Sequence, residues 1–455
     1  MTKIKTDICV IGAGSGGLSL AAGAVQMGAK VVLIEKGEMG GDCLNYGCVP
    51  SKALLHAGAA GMDWTAAHHH VKRAIATIAP HDGQERFEGL GCIVIREHAR
   101  FTGPREVVAG DTTIRAKRFV IATGSRPFVP EVPGLDEVPY LTNETIFDLV
   151  EKPTHLIVIG GGPIGIEMAT AHRRFGCDVT VLEGEKALGK DDPEAAALVL
   201  DALRADGVEI VENAKAVRVR ETGGKVEVVT EDGGVFTGSH LLIAVGRKAN
   251  IDDMGLKDAG VRTDGTAVHV NDRLRTSNRR VYALGDVTGG LQFTHVAGYQ
   301  GGVAIRPTVL RLPAKARTDH LPWCTYSNPE LAQVGMTEAA ARETYGGRID
   351  VLRADFAGND RAVATGRTDG FIKVIALRGK PIGVTLVGDH AGELIAPWSL
   401  VLSKGLKLSD ISGMVLPYPT LAEISKRAAG NYFAPKLFEN DKLKRVVRVI
   451  QRFVP

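Results

Sequence analysis

A glycine-rich segment occurs twice with a constant offset of 148 residues, and it constrains the fold of this 455-residue chain more than any other feature. The first copy, VIGAGSGG, covers residues 10–17, and the second, VIGGGPIG, covers residues 158–165. In each copy an apolar strand pattern precedes the glycines, a helix pattern follows, and a second apolar strand ends in an acid, Glu35 or Glu183. This order is the dinucleotide-binding fingerprint. It predicts an α/β protein with two Rossmann-like domains.

The three glycines of each copy have separate roles. The first makes the tight turn, the second lets the backbone approach a pyrophosphate, and the third lets the helix pack close to the strand. The phosphates then lie at a helix N-terminus, where free N–H groups and the helix dipole favour negative charge. Glycine-rich turns occur in many loops, but the strand, helix and acid around both copies favour two bound dinucleotides. The predicted binding residues are Gly12, Gly14, Gly17 and Glu35 in the first copy, and Gly160, Gly162, Gly165 and Glu183 in the second.

Charge and apolar patterning exclude several classes of protein. The formal net charge is only +3, so no global field indicates a nucleic-acid partner. The N-terminus leads directly into a strand pattern, and no apolar run is long enough to span a bilayer. Adjacent side chains at 68–70 (His-His-His) do not share a helix face, so we expect no metal site there. The sequence predicts a soluble cytoplasmic protein that binds no nucleic acid.

Two of the six cysteines, Cys43 and Cys48, lie close together in the run GGDCLNYGCVPSK at residues 40–52. A close pair among scattered single cysteines favours a catalytic role in the cytosol. A helical separation of five residues climbs about 7.5 Å, whereas a disulfide needs its Cα atoms within about 7 Å. We therefore expect a bridge that distorts the helix, with freedom supplied by Gly47, and that is easily reduced. The alternative is two unpaired core cysteines, but Lys52 and the helix start polarise the site as reactive cysteines require.

With these motifs the chain resembles the class I pyridine nucleotide-disulfide oxidoreductases, the family of dihydrolipoamide dehydrogenase, glutathione reductase and mercuric reductase. The resemblance extends from about residue 6 to about residue 430. Besides both fingerprints and the cysteine segment, it rests on ATGSRP at 122–127, VGR at 245–247 and ALGDV at 283–287. It implies FAD in the first unit, a nicotinamide nucleotide in the second, and a C-terminal α+β dimerisation domain.

Turn-rich segments and the resemblance together divide the chain. A proline-rich exit at 127–134 and Lys152-Pro153 place a boundary near residue 150. We expect an FAD-binding domain at 1–150, an NAD(P)-binding domain at 151–247, a continuation of the FAD-binding and central domain at 248–335, and a dimerisation domain at 336–455.

The resemblance also implies roles for individual residues. Cys48 is the thiol against the flavin, and Cys43 is the interchange thiol that attacks the substrate. Lys52 favours a Cys48 thiolate and lies near the flavin N5 atom, and Glu167 is the acid that pairs with this lysine. The alternative for both charges is a solvated surface. The remaining cofactor contacts are implied for Lys36, Gly41, Lys52, Ala122, Thr123, Gly124, Gly246, Gly285 and Asp286, of which Asp286 holds the ribityl chain.

The choice between NADH and NADPH depends on Glu183. A carboxylate at this position accepts hydrogen bonds from the ribose hydroxyls of NAD and repels the 2′-phosphate of NADP. Arginines are expected nearby for NADP, whereas the segment 182–187, LEGEKA, has Lys186 as its one cation. The sequence therefore favours NADH.

The C-terminal segment departs from the family pattern. Reductases of organic disulfides have a His-Pro-Thr-x-x-Glu motif whose histidine is the acid–base partner of the interchange thiol, but here Tyr418 begins the motif that Glu423 ends. Tyrosine, with a pKa of about 10, is a poor base at neutral pH. Mercuric reductases also have tyrosine there and add a C-terminal cysteine pair, whereas the last cysteine here is Cys324. The chain matches neither subgroup fully.

The resemblance implies a homodimer with a shared active site. Tyr418 of one chain then faces the Cys43–Cys48 pair of the other, with Glu423 nearby. The predicted function is an FAD-dependent NAD(P)H:disulfide oxidoreductase, similar to dihydrolipoamide dehydrogenase, acting on a small-molecule or protein-borne disulfide. One alternative is a metal-ion reductase of the mercuric type, and another is a flavoprotein electron-transfer component docked to a lipoyl-bearing partner.

The segment 441–452 has the pattern of a basic amphipathic helix. Such a helix can lie on a membrane surface, but the sequence favours a terminal helix docked on the protein.

Overall fold

The computed structural model describes residues 2–453. The strands are β1 (Thr2–Ile11), β2 (Val31–Ile34), β3 (Ile93–Ile95), β4 (Ala99–Gly103), β5 (Glu106–Ala109), β6 (Thr112–Ile121), β7 (Ser125–Pro127), β8 (His155–Ile159), β9 (Asp178–Leu182), β10 (Glu209–Val211), β11 (Ala216–Thr222), β12 (Lys225–Thr230), β13 (Val235–Gly238), β14 (His240–Ile243), β15 (Arg247–Ala249), β16 (Val281–Ala283), β17 (Pro322–Thr325), β18 (Glu330–Gly335), β19 (Ile349–Asp355), β20 (Phe371–Leu377) and β21 (Lys380–Gly388).

The helices complete the α/β pattern. They are α1 (Ser15–Gln26), α2 (Gly41–Asn45), α3 (Cys48–Ala59), α4 (Trp64–Asp82), α5 (Gln84–Gly89), α6 (Pro163–Arg174), α7 (Pro193–Ala205), α8 (Thr294–Ile305), α9 (Glu338–Tyr345), α10 (Asp360–Thr365), α11 (Ala391–Leu394), α12 (Ala396–Lys404), α13 (Leu408–Ser412), α14 (Glu423–Gly430), α15 (Ala434–Phe438) and α16 (Asp441–Phe453). Within residues 2–453, none of the helices is both long and apolar enough to cross a bilayer.

The first sheet has the strand order β3-β2-β1-β6-β5-β4, and β16 pairs with β6. β1 runs parallel to both β2 and β6, with Cys9 opposite Val32 on one side and Phe119 on the other. All residues of β2 are buried, as expected for a parallel strand covered on both faces. β16 comes from a much later part of the chain, so the C-terminal half of this unit returns to complete the sheet.

The second parallel sheet repeats this pattern on a smaller scale. β8 lies between β9 and β14 and is parallel to both. Three antiparallel strands, β11, β12 and β13, form a separate sheet beyond it. The two Rossmann-like units predicted from the repeated glycine pattern are confirmed.

The C-terminal sheet is antiparallel, with the order β17-β18-β21-β20-β19. Its helices cover a core centred on Trp398, which is fully buried and donates an indole hydrogen bond to Ser425 Oγ at 3.0 Å. Lys373 is buried as well, and its ammonium group contacts Asp192 Oδ2 at 2.9 Å and Glu338 Oε2 at 3.2 Å. The carboxylates offset the cost of burying the lysine charge. The α+β class predicted for this domain is confirmed.

Two compact units make up the chain. The first comprises the residues up to Gly184 together with Val211–Arg317, and the second comprises Glu185–Ile210 together with the residues from Thr318 onward. Both glycine-rich turns and both redox cysteines lie in the first unit, whereas Tyr418 and Glu423 lie in the second. The finer division into four domains stays a prediction.

The terminal helix α16 forms where the sequence predicts it. The side chain of Asn440 accepts hydrogen bonds from the backbone N–H groups of Lys442 and Leu443, each at 3.1 Å, and so caps the helix. None of the described residues of α16 is buried. The helix therefore does not dock on the core of its own chain, contrary to the interpretation that the sequence favoured.

Candidate active site

The first glycine of each turn is required by the backbone itself. Gly12 and Gly160 have φ values of +106° and +116°, a region that residues with side chains rarely adopt. A Cβ atom on Gly12 would lie 2.2 Å from the carbonyl oxygen of Ala122, and one on Gly160 would lie 2.4 Å from that of Ala244. Each turn therefore passes the residue that follows the neighbouring strand, Ala122 after β6 or Ala244 after β14, at a distance that only glycine allows.

The third glycine of each turn packs too closely against the backbone to carry a side chain, whereas the second glycine has room for one. A Cβ atom on Gly17 or on Gly165 would lie 1.9 Å from the carbonyl oxygen of the first glycine of its turn. In contrast, a Cβ atom on Gly162 would meet no described atom within 4 Å, and one on Gly14 would only approach Gly41 at 3.9 Å. The second glycines therefore leave open space at the mouth of each turn.

The two helices behind these turns begin without side-chain caps. Gly14 is the N-cap of α1 and Gly162 that of α6, and neither first turn carries an acid. Elsewhere Asp63 caps α4 and Asp192 caps α7 with their carboxylates. Uncapped N–H groups beside an open, glycine-lined space suit a phosphate group. The residues present thus fit the pyrophosphates of two dinucleotides.

The acids at the strand ends hold the turns from the other side. The carboxylate of Glu35 accepts a hydrogen bond from the backbone N–H of Ala13 at 2.6 Å. Glu183 accepts the equivalent bond from Gly161 at 2.7 Å. Both carboxylates therefore lie beside the turns, and their predicted contacts with a ribose stay predictions.

The cysteine pair lies on two helices rather than on one distorted turn. α2 ends before Tyr46 and α3 begins at Cys48, so the helix is interrupted between the two cysteines, whereas the sequence predicted a distorted turn. Gly47 separates the two, and a Cβ atom there would lie 3.3 Å from the Cα atom of Cys43. Glycine thus lets the Cys43 backbone approach the start of α3. Cys48 is exposed and Cys43 is half-buried.

The pKa values of the two thiols are shifted in opposite directions. The pKa of Cys48 is lowered to about 6, chiefly by a hydrogen bond from the Cys43 thiol; desolvation opposes this shift, and Thr294 and Lys52 support it. The same hydrogen bond, together with burial, raises the pKa of Cys43. The Thr294 hydroxyl lies 3.3 Å from the Cys48 sulfur. Cys48 is therefore the more acidic sulfur of the pair, and the Cys43 thiol donates a hydrogen bond toward it.

Lys52 and Glu167 come together from the two dinucleotide-binding regions. The Lys52 ammonium donates to Glu167 Oε2 at 2.6 Å, linking α3 to α6. Glu167 is only 5% exposed, so the pair is not a solvated surface contact. Arg174 of α6 adds a hydrogen bond to the Leu55 carbonyl oxygen of α3 at 3.0 Å. The helix behind the second glycine turn is thus tied to the helix that carries Cys48.

A buried polar cluster surrounds Asp286. The Ser125 hydroxyl donates to its carboxylate at 2.6 Å, and the Arg247 guanidinium lies 3.8 Å from it and 3.1 Å from Asp42. Burial raises the pKa of Asp286 above the ordinary range for a carboxyl group despite these partners. The cluster joins the start of the cysteine segment to the Gly-Asp motif that the resemblance assigns to the FAD ribityl chain.

Other predicted cofactor residues cluster near the first turn. Thr123 and Asn250 exchange two hydrogen bonds, from the Thr123 hydroxyl at 2.7 Å and from the Asn250 amide at 2.9 Å. The backbone N–H of Gly285 donates to Gln300 at 2.7 Å, and Lys36 is exposed. Positive φ angles are found at Gly41, Gly124, Gly246 and Gly285.

Sequence reasoning assigned no role to Thr294, Ser125, Asp42 or Arg247. Thr294 lies 246 residues from Cys48, and nothing in its local sequence indicates a contact with sulfur. Asp42, Ser125 and Arg247 each lie within a family motif, and that position is the signal that could have identified them.

Tyr418 lies in the second unit and is 71% exposed. Its hydroxyl donates to Asp360 Oδ2 at 2.8 Å, which raises the pKa of the tyrosine. Glu423 begins α14 and accepts a hydrogen bond from the Thr420 backbone N–H at 3.3 Å. The phenol is thus no base, and its predicted position opposite the cysteines of a partner subunit stays a prediction.

Comparison with known proteins identifies the family. The pyridine nucleotide-disulphide oxidoreductase family matches residues 6–301, and the dimerisation domain of the same family matches residues 321–429. The chain belongs to this family, whose members use FAD and NAD(P)H, and the resemblance drawn from the sequence is confirmed. Its class of activity is that of an FAD-dependent NAD(P)H:disulfide oxidoreductase.

Particular relatives come from more than one branch. The chain is 35% identical over 448 residues to a mercuric reductase of Lysinibacillus sphaericus, covering 93% of this chain and 82% of that protein. It is also 35% identical over 459 residues to a dihydrolipoyl dehydrogenase of Geobacillus stearothermophilus, covering 94% and 96%. The Cu(II) complex of the HOCl-induced flavoprotein disulfide reductase RclA from Escherichia coli has a similar fold. Its TM-score is 0.87 at 29% identity, over 94% of this chain and 99% of that one.

Proposed function

We propose that this protein is an NADH-driven reductase in which the Cys43–Cys48 pair reduces a disulfide substrate, with the site completed by the second subunit of a homodimer. The observation that carries the proposal is the unequal pair of sulfur atoms, in which Cys48 is the more acidic sulfur and Cys43 its hydrogen-bond donor. Such a pair is primed for thiol–disulfide exchange.

The residues divide the exchange between them. Bound FAD supplies the two-electron transfer from the nicotinamide to the Cys43–Cys48 disulfide. The Cys43 sulfur then attacks one substrate sulfur and forms a mixed disulfide, and its proton passes to the leaving thiolate. The Cys48 thiolate next attacks the Cys43 sulfur, which closes the Cys43–Cys48 bond and releases the second substrate thiolate, protonated by solvent.

Lys52 and Thr294 keep Cys48 ready for the second attack. The ammonium group and the hydroxyl both favour the charged sulfur, and Glu167 holds Lys52 in place through the 2.6 Å contact. Cys43 needs a proton acceptor before it attacks, and the nearest is the Cys48 thiolate to which its proton already points. Cys48 then passes this proton to the leaving substrate thiolate and is charged again for the second attack. The pair therefore supplies the basicity that the histidine of other family members provides.

Tyr418 has a different task in this proposal. It donates a hydrogen bond to the substrate or to Cys43 of the partner subunit, with Glu423 positioning the segment. In the free chain its hydroxyl is held by Asp360, so Tyr418 must exchange that partner when substrate binds. Tyr418→Phe should slow reoxidation of the reduced enzyme by a disulfide several-fold without changing flavin reduction by NADH. Asp360→Ala is the control, because it removes the acceptor of this hydrogen bond and leaves the Tyr418 hydroxyl in place.

Rapid-reaction kinetics separate these half-reactions. Equal reoxidation rates in Tyr418→Phe and the parent enzyme would leave the tyrosine without a role in the reaction. A monomer by analytical ultracentrifugation would remove the shared site.

The preference for NADH follows from Glu183, which lies beside the second turn. Placing a 2′-phosphate against a carboxylate costs about 1–4 kcal/mol at effective dielectric constants of 80 to 20. We expect a higher kcat/KM with NADH, and steady-state rates with both donors test it. A clear preference for NADPH contradicts the assignment.

A second candidate is reduction of a soft metal ion. It is favoured by the exposed, thiolate-bearing Cys48 and by Tyr418, which stands where mercuric reductases also have tyrosine. Related proteins include mercuric reductases, and one solved structure of RclA is a Cu(II) complex. Thiolates bind such ions strongly.

One experiment separates the candidates. The NADH-reduced enzyme is mixed with a panel of small disulfides, a lipoyl-bearing protein, Hg²⁺ and Cu²⁺, and reoxidation is followed. Rapid turnover with small disulfides supports the leading proposal. Turnover confined to the metal ions favours the second candidate, and turnover confined to the lipoyl-bearing protein indicates a docked electron-transfer component.

A further inference from the structure

The C-terminal helix α16 presents an apolar face that its own chain leaves uncovered. Leucine, valine, isoleucine and phenylalanine follow one another at separations of three and four residues, so they share one side of the helix. They are Leu443, Val446, Val447, Ile450 and Phe453, with Val449 at the edge. All of them are exposed, and Phe453 is 77% exposed.

The rest of the helix surface is basic. Lys442, Lys444, Arg445, Arg448 and Arg452 oppose a single acid, Asp441, which gives the helix a charge of +4. The helix is 13 residues long, or about 20 Å. Such a helix, strongly amphipathic but polar overall, is typical of segments that lie in the plane of a bilayer interface.

The helix lies outside the part of the chain that the family accounts for. The matched dimerisation domain ends at residue 429, whereas α16 begins at Asp441. The Asn440 side chain caps the first turn, so the start of the helix is stabilised by the adjacent sequence. Neither the catalytic site nor the family's dimerisation domain therefore explains the exposed face.

We propose that α16 binds the protein to an anionic membrane surface. The apolar side chains enter the boundary between headgroups and acyl chains, and the lysines and arginines contact anionic headgroups. Just before α16, Phe438 of α15 is 71% exposed and adds an aromatic side chain near the start of the helix.

The charge of α16 favours an anionic membrane over a second copy of the helix and over an acidic protein. A second copy of α16 would bring another +4, which repels the first. An acidic protein would need an apolar groove bordered by carboxylates and matched to this one helix. An anionic bilayer offers negative charge and apolar depth over its whole surface, so it satisfies both halves of the helix at once.

The test is sedimentation of the full-length holoenzyme with phosphatidylcholine vesicles, with and without phosphatidylglycerol. We expect binding only to the anionic vesicles, weakened as the salt concentration rises because the charges are screened. Ile450→Asp, which places a carboxylate on the apolar face, should weaken binding at least tenfold. The double variant Lys444→Glu/Arg448→Glu should weaken it on the order of a hundredfold, since each basic residue near an anionic surface contributes about fivefold.

Matched controls keep the result specific to the helix. Lys225→Glu/Lys257→Glu changes the same net charge at exposed lysines of the first unit and should bind as the parent does. The α16 variants should keep the parent Tm because none of their side chains is buried. If a substitution in α16 impairs folding, removal of residues 441–455 provides the second variant, and it should abolish vesicle binding.

Two results would overturn the proposal. One is failure of the parent enzyme to sediment with anionic vesicles at low salt. If self-association in analytical ultracentrifugation then depends on Ile450, a second copy covers the helix, and otherwise a protein partner does. The other is parent-like vesicle binding by Ile450→Asp or by the truncated chain.

Discussion

The two glycine-rich turns have the same geometry, but the segments that follow them carry different chemistry. A Cβ atom on the first glycine would lie 2.2 or 2.4 Å from a carbonyl oxygen, and a Cβ atom on the third glycine would lie 1.9 Å from one in both turns. After Glu35 the chain continues into the cysteine segment, whereas after Glu183 it continues into α7, which has no cysteine. The glycines common to both copies form the turn. The segment after the second strand, which differs between the copies, carries the chemistry. The local fingerprint therefore indicates binding, and the reaction is encoded outside it.

Removing either redox thiol should have the largest effect on turnover and should leave reduction of the flavin by the nicotinamide intact. We expect Cys43→Ser to reduce disulfide turnover at least about a thousandfold, because the nucleophile is lost, while NADH still reduces the flavin. Stopped-flow absorbance distinguishes the two half-reactions. Cys177→Ala, at a buried thiol beside β9, is the control and should retain most activity. Substantial disulfide turnover by Cys43→Ser would show that Cys43 is not the thiol that attacks the substrate.

Alanine at the first and second glycines of the second turn should separate folding from binding. Gly160→Ala places a Cβ atom 2.4 Å from a carbonyl oxygen at φ +116°, so we expect a lower Tm and a loss of about 1–3 kcal/mol of stability. Gly162→Ala meets open space among the described residues and should keep the parent Tm.

Gly162→Ala should nevertheless raise the KM for NADH about tenfold, because the methyl group occupies space that the pyrophosphate needs. Gly14→Ala is the counterpart in the first turn and should reduce FAD content instead. If Gly162→Ala binds NADH normally, the open space is not the pyrophosphate site.

Glu183→Gln should narrow the preference for NADH over NADPH about tenfold, since it removes the charge that repels a 2′-phosphate. The amide can still accept the hydrogen bond from Gly161 at its oxygen, so the turn should keep its shape. The ratio of kcat/KM values for the two donors measures the effect. Glu35→Gln is the control in the first turn and should leave this ratio unchanged. A ratio that moves equally in both variants would mean that the two acids have the same role.

Thr294→Val should give the smallest effect, a several-fold slower alkylation of Cys48 by iodoacetamide just above pH 6. A group with a lowered pKa is charged above that pKa, so the reactivity of reduced Cys48 should appear as the pH rises through about 6 and be lost below it. Removing the hydroxyl donor moves this midpoint upward. Mass spectrometry of the alkylated peptide gives the pH profile, and an unchanged midpoint would exclude Thr294 from tuning the sulfur.

Much of this arrangement could be predicted from the sequence because it is local. Both turns, their acids and the cysteine pair lie in short segments whose spacing fixes their chemistry. The contact between Lys52 and Glu167 came from the family resemblance, since the two residues are 115 positions apart. Thr294 and the Ser125–Arg247 contacts with Asp286 were missed because they depend on the return of the chain through β16 and α8. The sequence predicted a distortion at Gly47 between the cysteines, but the separation into α2 and α3 could not be predicted from the spacing alone.

The lowered pKa of Cys48 also affects how the protein with reduced cysteines reacts with oxidants. At neutral pH a thiol with a pKa of about 6 is mostly thiolate, and this one is exposed. Thiolates react with peroxide or hypochlorous acid to give a sulfenic acid, which further oxidant makes irreversible. Here the protonated Cys43 lies within hydrogen-bond reach and can condense with that sulfenic acid, releasing water and forming the same disulfide as in turnover. We therefore expect oxidation of the reactive sulfur to end in a disulfide that NAD(P)H can reduce, so that the second thiol protects the first.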